Sequence, residues 1–275
     1  MESIRQAVER ARNLAAPSVQ QSSARYHAPE EKPQFPLGAA NGIQPEIQEV
    51  VLNNAHLQAN RIVAQNVADP LTRSFDMLRT QVLQAMDAKD SKILAITSPT
   101  QACGKTVTAL NLALSIARQP ERSALLVDLD FQKPKVAASL GIKLVDDGAL
   151  GVLEGRTSLS KAVIPARAGN QRLMVLPTKQ SSGSSELMAS RAMAAMLQDL
   201  RNEFRSYITI VDLPPILSSD DVIAILPQID CVLLVVAVGT STVAQIEECN
   251  RHLVSAEVVR VVLNKVPQTA TQYYY

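Results

Sequence analysis

A chain of 275 residues, 47% of them apolar, has room for one α/β domain of ordinary size with appendages. Lys and Arg total 27 against 26 Asp and Glu, and there is no Trp, so the chain lacks the bulk positive field and stacking platforms of nucleic-acid binders. Its longest unbroken apolar run, Cys231 to Val238, is far short of the roughly 20 residues that cross a bilayer.

The opening stretch MESIRQAVERARNLAA mixes acids with bases and has no apolar core, so it does not read as a secretory signal. Ile4, Val8, Ala11 and Leu14 instead fall on one side of a short amphipathic helix over 2–15. From Pro17 to Pro45 five prolines stand among Ser, Gln, Glu and Ala, a linker composition that buries no core. The organisation expected is an N-terminal helix and linker over 1–46, a main domain over 47–267 and a tail over 268–275.

Within the main domain Asp69-Pro70 reads as a helix start leading into LTRSFDMLRTQVLQAM. Apolar strands then alternate with helical segments. KILAITS precedes a helix from Gly104, SALLVDLD precedes short helical pieces near Val136 and Leu150, and RLMVLPT precedes one helix, SELMASRAMAAMLQDLRNEF. YITIVDLPP, CVLLVVAV with the helix STVAQIEECNRHLV, and VVRVVLN complete the series. Strands this apolar, interleaved with helices, imply a parallel sheet covered on both faces, with ligands beyond the carboxyl ends of its strands.

The stretch from Ile93 to Thr106 carries the strongest chemical signal. A buried strand runs into Gly104-Lys105-Thr106, and Val107, Leu110, Ala113, Leu114 and Ala117 follow at helical spacing. Gly-Lys-Thr alone occurs by chance on many surfaces; in this strand, loop and helix setting it is a phosphate-binding loop. A helix starting at Gly104 aims unpaired N–H groups at an anion, Lys105 reaches the β- and γ-phosphates, and Thr106 ligates Mg²⁺. The cradle is formed by Ala102, Cys103, Gly104, Lys105, Thr106 and Val107, and the ligand expected is a nucleotide with Mg²⁺. Pro99 stands where a glycine is usual, and the Cβ atoms of Ala102 and Cys103 resist positive φ, so a tighter or less regular cradle is expected. Two readings of Cys103 stand: a small loop residue, which is preferred, or an oxidisable thiol in an anion site. Cys231 and Cys249 are remote in sequence, and three such cysteines form neither a disulfide framework nor a zinc pattern, which suits a reducing cytoplasm.

Asp128 and Asp130 in LLVDLD and Asp212 in TIVDLPP end apolar strands and would be carried to the same sheet edge. A lone strand-end Asp commonly caps a turn. Three beside a phosphate loop point to a metal instead, since a buried carboxylate is costly without a cation or donors. Asp212 suits a ligand of the metal or its water opposite Thr106, while Asp128 and Asp130 suit the metal's water shell and a general base. Lys133 and Lys135 in the next turn either neutralise phosphates or are simply solvated.

With these residues in place the sequence resembles the bacterial tyrosine kinases of polysaccharide export, the BY-kinase family, over about residues 70 to 275. TSPTQACGKT is similar to that family's first nucleotide motif, LLVDLDFQKP to the second and ITIVDLPP to the third, and GALGVLEG, SSELMAS and VVLNKV fall where the family has similar phrases. The resemblance is to the soluble autokinases encoded with exosortase-type systems. It implies a P-loop NTPase fold, protein-tyrosine autokinase activity with Mg-ATP, catalytic roles for Lys105, Asp128 and Asp130, and metal binding by Thr106, Asp128 and Asp212. It also implies a homo-oligomer, a membrane-embedded chain-length regulator as activator, and a cytoplasmic place at the inner membrane through that partner. Asn264 in VVLNKV touches adenine by the resemblance; its alternative is to cap a strand.

The family's C-terminal tyrosine cluster corresponds to Tyr273, Tyr274 and Tyr275, three of the five tyrosines in the chain. Beside a kinase site they read as phosphoacceptors, although a terminal YYY also occurs by chance or as a disordered end. The stretch from Pro267 to Tyr275 reaches at most about 30 Å, which favours transfer in trans. Departures from the pattern are Gln132-Lys133 where an arginine is usual, and Arg73, Asp76 and Arg79 where the ring-forming helix has Glu, Arg and Arg. Septum-positioning and partition ATPases share the phosphate loop but carry a signature lysine where Thr100 stands. They and a non-phosphorylating regulator of polysaccharide export are the alternative functions.

Overall fold

In the computed structural model residues 49–267, apart from residue 255, are described; the amphipathic stretch 2–15, the linker and Tyr273 to Tyr275 lie outside them. Eight strands form one sheet: β1 (Val50–Val51), β2 (Ile93–Thr97), β3 (Ser123–Asp128), β4 (Ile164–Ala168), β5 (Gln171–Leu176), β6 (Tyr207–Asp212), β7 (Cys231–Ala237) and β8 (Val258–Asn264). Their order is β1-β4-β5-β3-β6-β2-β7-β8. All neighbours are parallel except the β4–β5 hairpin.

Alternate residues along the central strands enter opposite layers. In β2, Leu94 and Ile96 pack into one core and Ile93 and Ala95 into the other; in β7, Leu233 and Val235 oppose Val232 and Leu234 in the same way. Such strands are apolar at every position because neither face meets water. The first layer is covered by α2 (Thr72–Asp87) and α3 (Lys105–Ala117) through Val82, Met86, Leu110 and Leu114. The second is covered by α8 (Arg191–Glu203) through Met193, Met196, Leu197 and Leu200. The remaining helices are short: α1 (Asn54–Ala59), α4 (Val136–Leu140), α5 (Ala149–Leu153), α6 (Leu159–Ala162), α7 (Ser184–Met188), α9 (Asp221–Ile225) and α10 (Val243–His252). No helix among the described residues is long and apolar enough to cross a membrane.

Two expected boundaries shift. The helix foreseen over SELMASRAMAAMLQDLRNEF is two helices, broken where Ser190 adopts extended backbone (φ −77°, ψ 156°) and its Oγ caps Met193 N at 3.0 Å. At Asp69-Pro70 the carboxylate accepts from Leu71 N at 2.9 Å in a local turn, so α2 begins only at Thr72. On α2 the Asp76 carboxylate points inward, accepting from Ser115 Oγ at 2.7 Å and pairing with Arg118 and Arg79. That carboxylate is thereby used within the subunit, tying α2 to α3.

Candidate nucleotide site

The sheet pairs Asp128 directly with Asp212 at the carboxyl ends of β3 and β6, and Asp212 with Ile96 one residue before the end of β2. Strand register alone therefore brings the carboxylates to the root of the phosphate loop, which leaves β2 at Ser98 and enters α3 at Lys105. The loop is stitched to the segment after β6: Thr97 Oγ1 donates to Pro214 O at 2.7 Å, and Ile216 N to Ser98 O at 2.9 Å.

Gly104 takes φ +93° in the left-handed region. A Cβ there would lie 2.2 Å from Asn264 Nδ2, so the position needs glycine on both steric and conformational grounds. The Asn264 amide donates to Cys103 O at 2.9 Å and its carbonyl accepts from Lys265 N at 2.8 Å, which fastens the end of β8 to the loop. Ala102, despite its Cβ, sits at φ +62°, the left-handed region that its side chain was expected to resist. Cys103 is buried, with Sγ 3.5 Å from Ser241 Oγ and 3.6 Å from Thr100 Oγ1. Burial alone would raise its pKa, but these hydroxyls outweigh it and hold the thiol below the usual range.

Lys105 Nζ lies 2.7 Å from Asp130 Oδ2 and 3.4 Å from Asp212 Oδ1, and Thr106 Oγ1 donates to Asp212 Oδ2 at 2.6 Å. Burial would pull the lysine pKa down, yet Asp212 and Asp130 outweigh it and hold the ammonium above its ordinary range. Two of the carboxylates are also pushed upward, which for an acid favours the neutral form. Burial, and then the charge of Asp212, raise Asp128 to about 8, and burial raises Asp212 as well despite Lys105 and Thr106. One lysine shared among three buried acids leaves the cluster short of positive charge.

The three acids differ in their commitments. Asp128 Oδ1 accepts from Asp130 N at 3.1 Å, and its Oδ2 from Lys135 N and Val136 N at 3.1 and 3.0 Å, so this carboxylate holds the turn after β3. Asp130 Oδ1 accepts from Lys133 N at 3.0 Å, while Oδ2 faces Lys105; of the three acids Asp130 alone lines the cavity above the loop. That cavity, of about 380 Å³, is walled by the loop residues Gln101, Ala102 and Gly104 to Val107, by Gln132, Lys133 and Lys135, and by Arg61, Pro215 and Lys265. Arg61, Lys105, Lys133, Lys135 and Lys265 face it against the single acid Asp130, a balance that suits a polyanion. Lys133 and Lys135 thus stand at the cavity, and Lys133 Nζ also donates to Gln101 Oε1 at 2.6 Å.

The donor set fits Mg²⁺ carried by a nucleotide. No group of three or more His, Cys, Asp or Glu among the described residues forms a self-sufficient metal site. A hydroxyl and a carboxylate 2.6 Å apart, in a cluster lacking positive charge, are the hard oxygen donors that Mg²⁺ takes in ones and twos beside phosphates. Sequence reasoning missed Arg61, Gln101 and Lys265. Gln101 and Lys265 lay inside the quoted phrases TSPTQACGKT and VVLNKV, whereas nothing local marks Arg61 as a site residue.

Known proteins place this geometry. The chain is 30% identical over 210 residues to the putative tyrosine-protein kinase EpsB of Ralstonia solanacearum, covering 75% of this chain but only 27% of that protein. It is 28% identical over 202 residues to the tyrosine-protein kinase CpsD of Streptococcus agalactiae, covering 72% of this chain and 85% of that one. The kinase domain of the Escherichia coli tyrosine kinase ETK superposes with a TM-score of 0.68 at 26% identity, over 78% of this chain and 84% of that structure. The septum site-determining protein MinD of Pyrococcus horikoshii, solved with Mg-ADP, shares the fold at a TM-score of 0.54 and 19% identity. Residues 94–274 match one nucleotide-binding family across the phosphate loop, the strand-end acids and Asn264, and the chain belongs to that family, the CobQ/CobB/MinD/ParA nucleotide-binding domains.

Proposed function

We propose that the chain is an ATP-dependent protein-tyrosine autokinase of exopolysaccharide synthesis or export that phosphorylates Tyr273, Tyr274 and Tyr275 of a neighbouring copy. The observation that carries this reading is the convergence of Lys105, Thr106 and Asp130 on one cation-lined cavity, with Asp212 bonded to Lys105 and Thr106 beneath it, in a chain that carries Tyr273, Tyr274 and Tyr275. The likeness to CpsD over most of that protein's length supports it.

In this reading the loop from Ala102 to Val107 and the Lys105 ammonium hold the polyphosphate, and Thr106 with Asp212 holds Mg²⁺, with Asp128 behind them. Bound Mg²⁺ supplies the charge that offsets the phosphate oxygens. An anion entering the cavity competes with Asp130 for the Lys105 ammonium. The carboxylate so released is the group placed to accept the tyrosine hydroxyl proton at Oδ2. Asn264 reaches the adenine side of the loop end that it already fastens. A membrane-embedded chain-length regulator acts as activator and brings the kinase to the inner membrane.

Incubation of the purified protein with Mg-ATP, read by anti-phosphotyrosine blot, tests the reading. Wild type should label, while Lys105→Met and a chain lacking residues 273–275 should not. ATP turnover without label in wild type, with the activator's cytoplasmic fragment added, would instead support an ATPase of the septum-positioning type or a non-phosphorylating regulator.

A further inference from the structure

Among the described residues four that are not glycine adopt positive φ: Arg61 (60°), Asp90 (49°), Ala102 (62°) and Lys265 (57°). Three of these, Arg61, Ala102 and Lys265, line the nucleotide cavity. A left-handed residue with a Cβ is unfavourable and persists only where its surroundings over-determine it; such strain collects at functional sites. Ala102 belongs to the phosphate loop itself. Arg61 comes from elsewhere, the turn after α1, on the far side of α2 and β2 in the chain.

What holds Arg61 there is a single buried side chain of the phosphate-loop helix. Asn111, fully buried on α3, donates from Nδ2 to Arg61 O at 3.0 Å and to Val107 O at 2.8 Å. Its Oδ1 accepts from Val63 N at 2.8 Å and Ala64 N at 3.0 Å. The carboxamide is thus satisfied at both ends and grips the backbone on both sides of Ile62, while Arg61 N donates to Gln58 O at 2.9 Å. Arg61 is exposed, and it lines the same cavity as Lys133 and Lys135.

We propose that Arg61 is a nucleotide-contacting residue, its guanidinium donating to phosphate oxygens of the bound Mg-nucleotide, and that Asn111 positions it. The inference rests on the reading of this cavity as a nucleotide site. Guanidinium offers planar paired donors that match phosphate, and a rigid, strained backbone spends conformational energy to place it. The same turn with glycine would hold its shape more easily and would lack the contact.

That contrast provides the experiment. Arg61→Gly, Arg61→Lys and wild type are titrated calorimetrically with Mg-ATP and with Mg-tripolyphosphate, and each is melted without ligand. Arg61→Gly should melt at or above the wild-type temperature, because the left-handed strain is relieved, yet bind both ligands at least about ten-fold more weakly, as loss of a charged hydrogen bond requires. Arg61→Lys should recover part of the loss. Asn111→Leu should weaken both ligands too, with a lowered melting temperature. Unchanged Mg-ATP affinity in Arg61→Gly would overturn the proposal. So would a drop for Mg-ATP with tripolyphosphate binding intact, since the contact would then be to the nucleoside. If wild type bound neither ligand, the nucleotide reading would itself fail, an outcome distinct from loss in the variant alone.

Discussion

At the scale of single residues the site is built from side chains that conflict with their surroundings until a ligand arrives. Asp128 and Asp212 are buried acids with raised pKa values, Lys105 is shared between Asp130 and Asp212, and Ala102 occupies a backbone region that its Cβ resists. Ala102 gives the simplest check on stored strain. Replacing it by glycine removes a left-handed penalty of about 1–2 kcal/mol, partly offset by the greater freedom of unfolded glycine, so Ala102→Gly should stabilise the protein by roughly 0.5–1 kcal/mol. Urea unfolding should show a higher midpoint at unchanged slope. A lower midpoint would mean that the loop is not strained at this position.

At the scale of elements, polar side chains join pieces that hydrophobic packing alone would leave free to slide. Asp230, just before β7, accepts from Lys92 N and Ile93 N at 2.7 and 2.8 Å and pairs with Arg201 of α8 at 2.7 Å, tying together the starts of β2 and β7 and the end of α8. Burial would raise its pKa, but Arg201 and the two amides outweigh it and depress the carboxyl. A depressed folded pKa means that Asp230 contributes fully above its unfolded value of about 3.9 and loses that contribution as pH falls through the folded value. Asp230→Ala should therefore cost about 2–3 kcal/mol at neutral pH. The gap from wild type should narrow below about pH 4 in urea titrations. A gap independent of pH would show that the carboxylate charge is irrelevant to the joint.

The same scale explains what could be read from the sequence. β2, β3, β6 and β7 were legible because strands buried on both faces are nearly unbroken apolar runs ending in distinctive residues, and β8, an edge strand with Val261 and Leu263 exposed, by its valine-rich composition. β4 was not, since Pro165 and Arg167 interrupt it. The strand tolerates Pro165 because β1 pairs only with Ala166 and Arg167, so no partner on that side needs the missing N–H. The break at Ser190 had a local signal, a serine at a cap position inside a helical pattern. Arg61 and its anchor Asn111 had none, because a contact spanning 50 residues leaves no mark in local spacing.

For the whole molecule, parallel register does the assembling: it delivers Asp212 and Asp128 to the point where the phosphate loop leaves β2, and α3 then presents Lys105 and Thr106 to them. The five cations around the cavity and the acids beneath it form two layers of opposite charge, between which a polyphosphate with a divalent ion completes the balance. Calorimetric titration of ADP into wild type and Asp212→Asn, each with Mg²⁺ and with chelator, tests this most directly. Wild type should bind ADP at least about ten-fold more tightly with Mg²⁺, and Asp212→Asn should lose most of that difference. ADP affinity in wild type that is absent, or the same with and without Mg²⁺, would contradict the account.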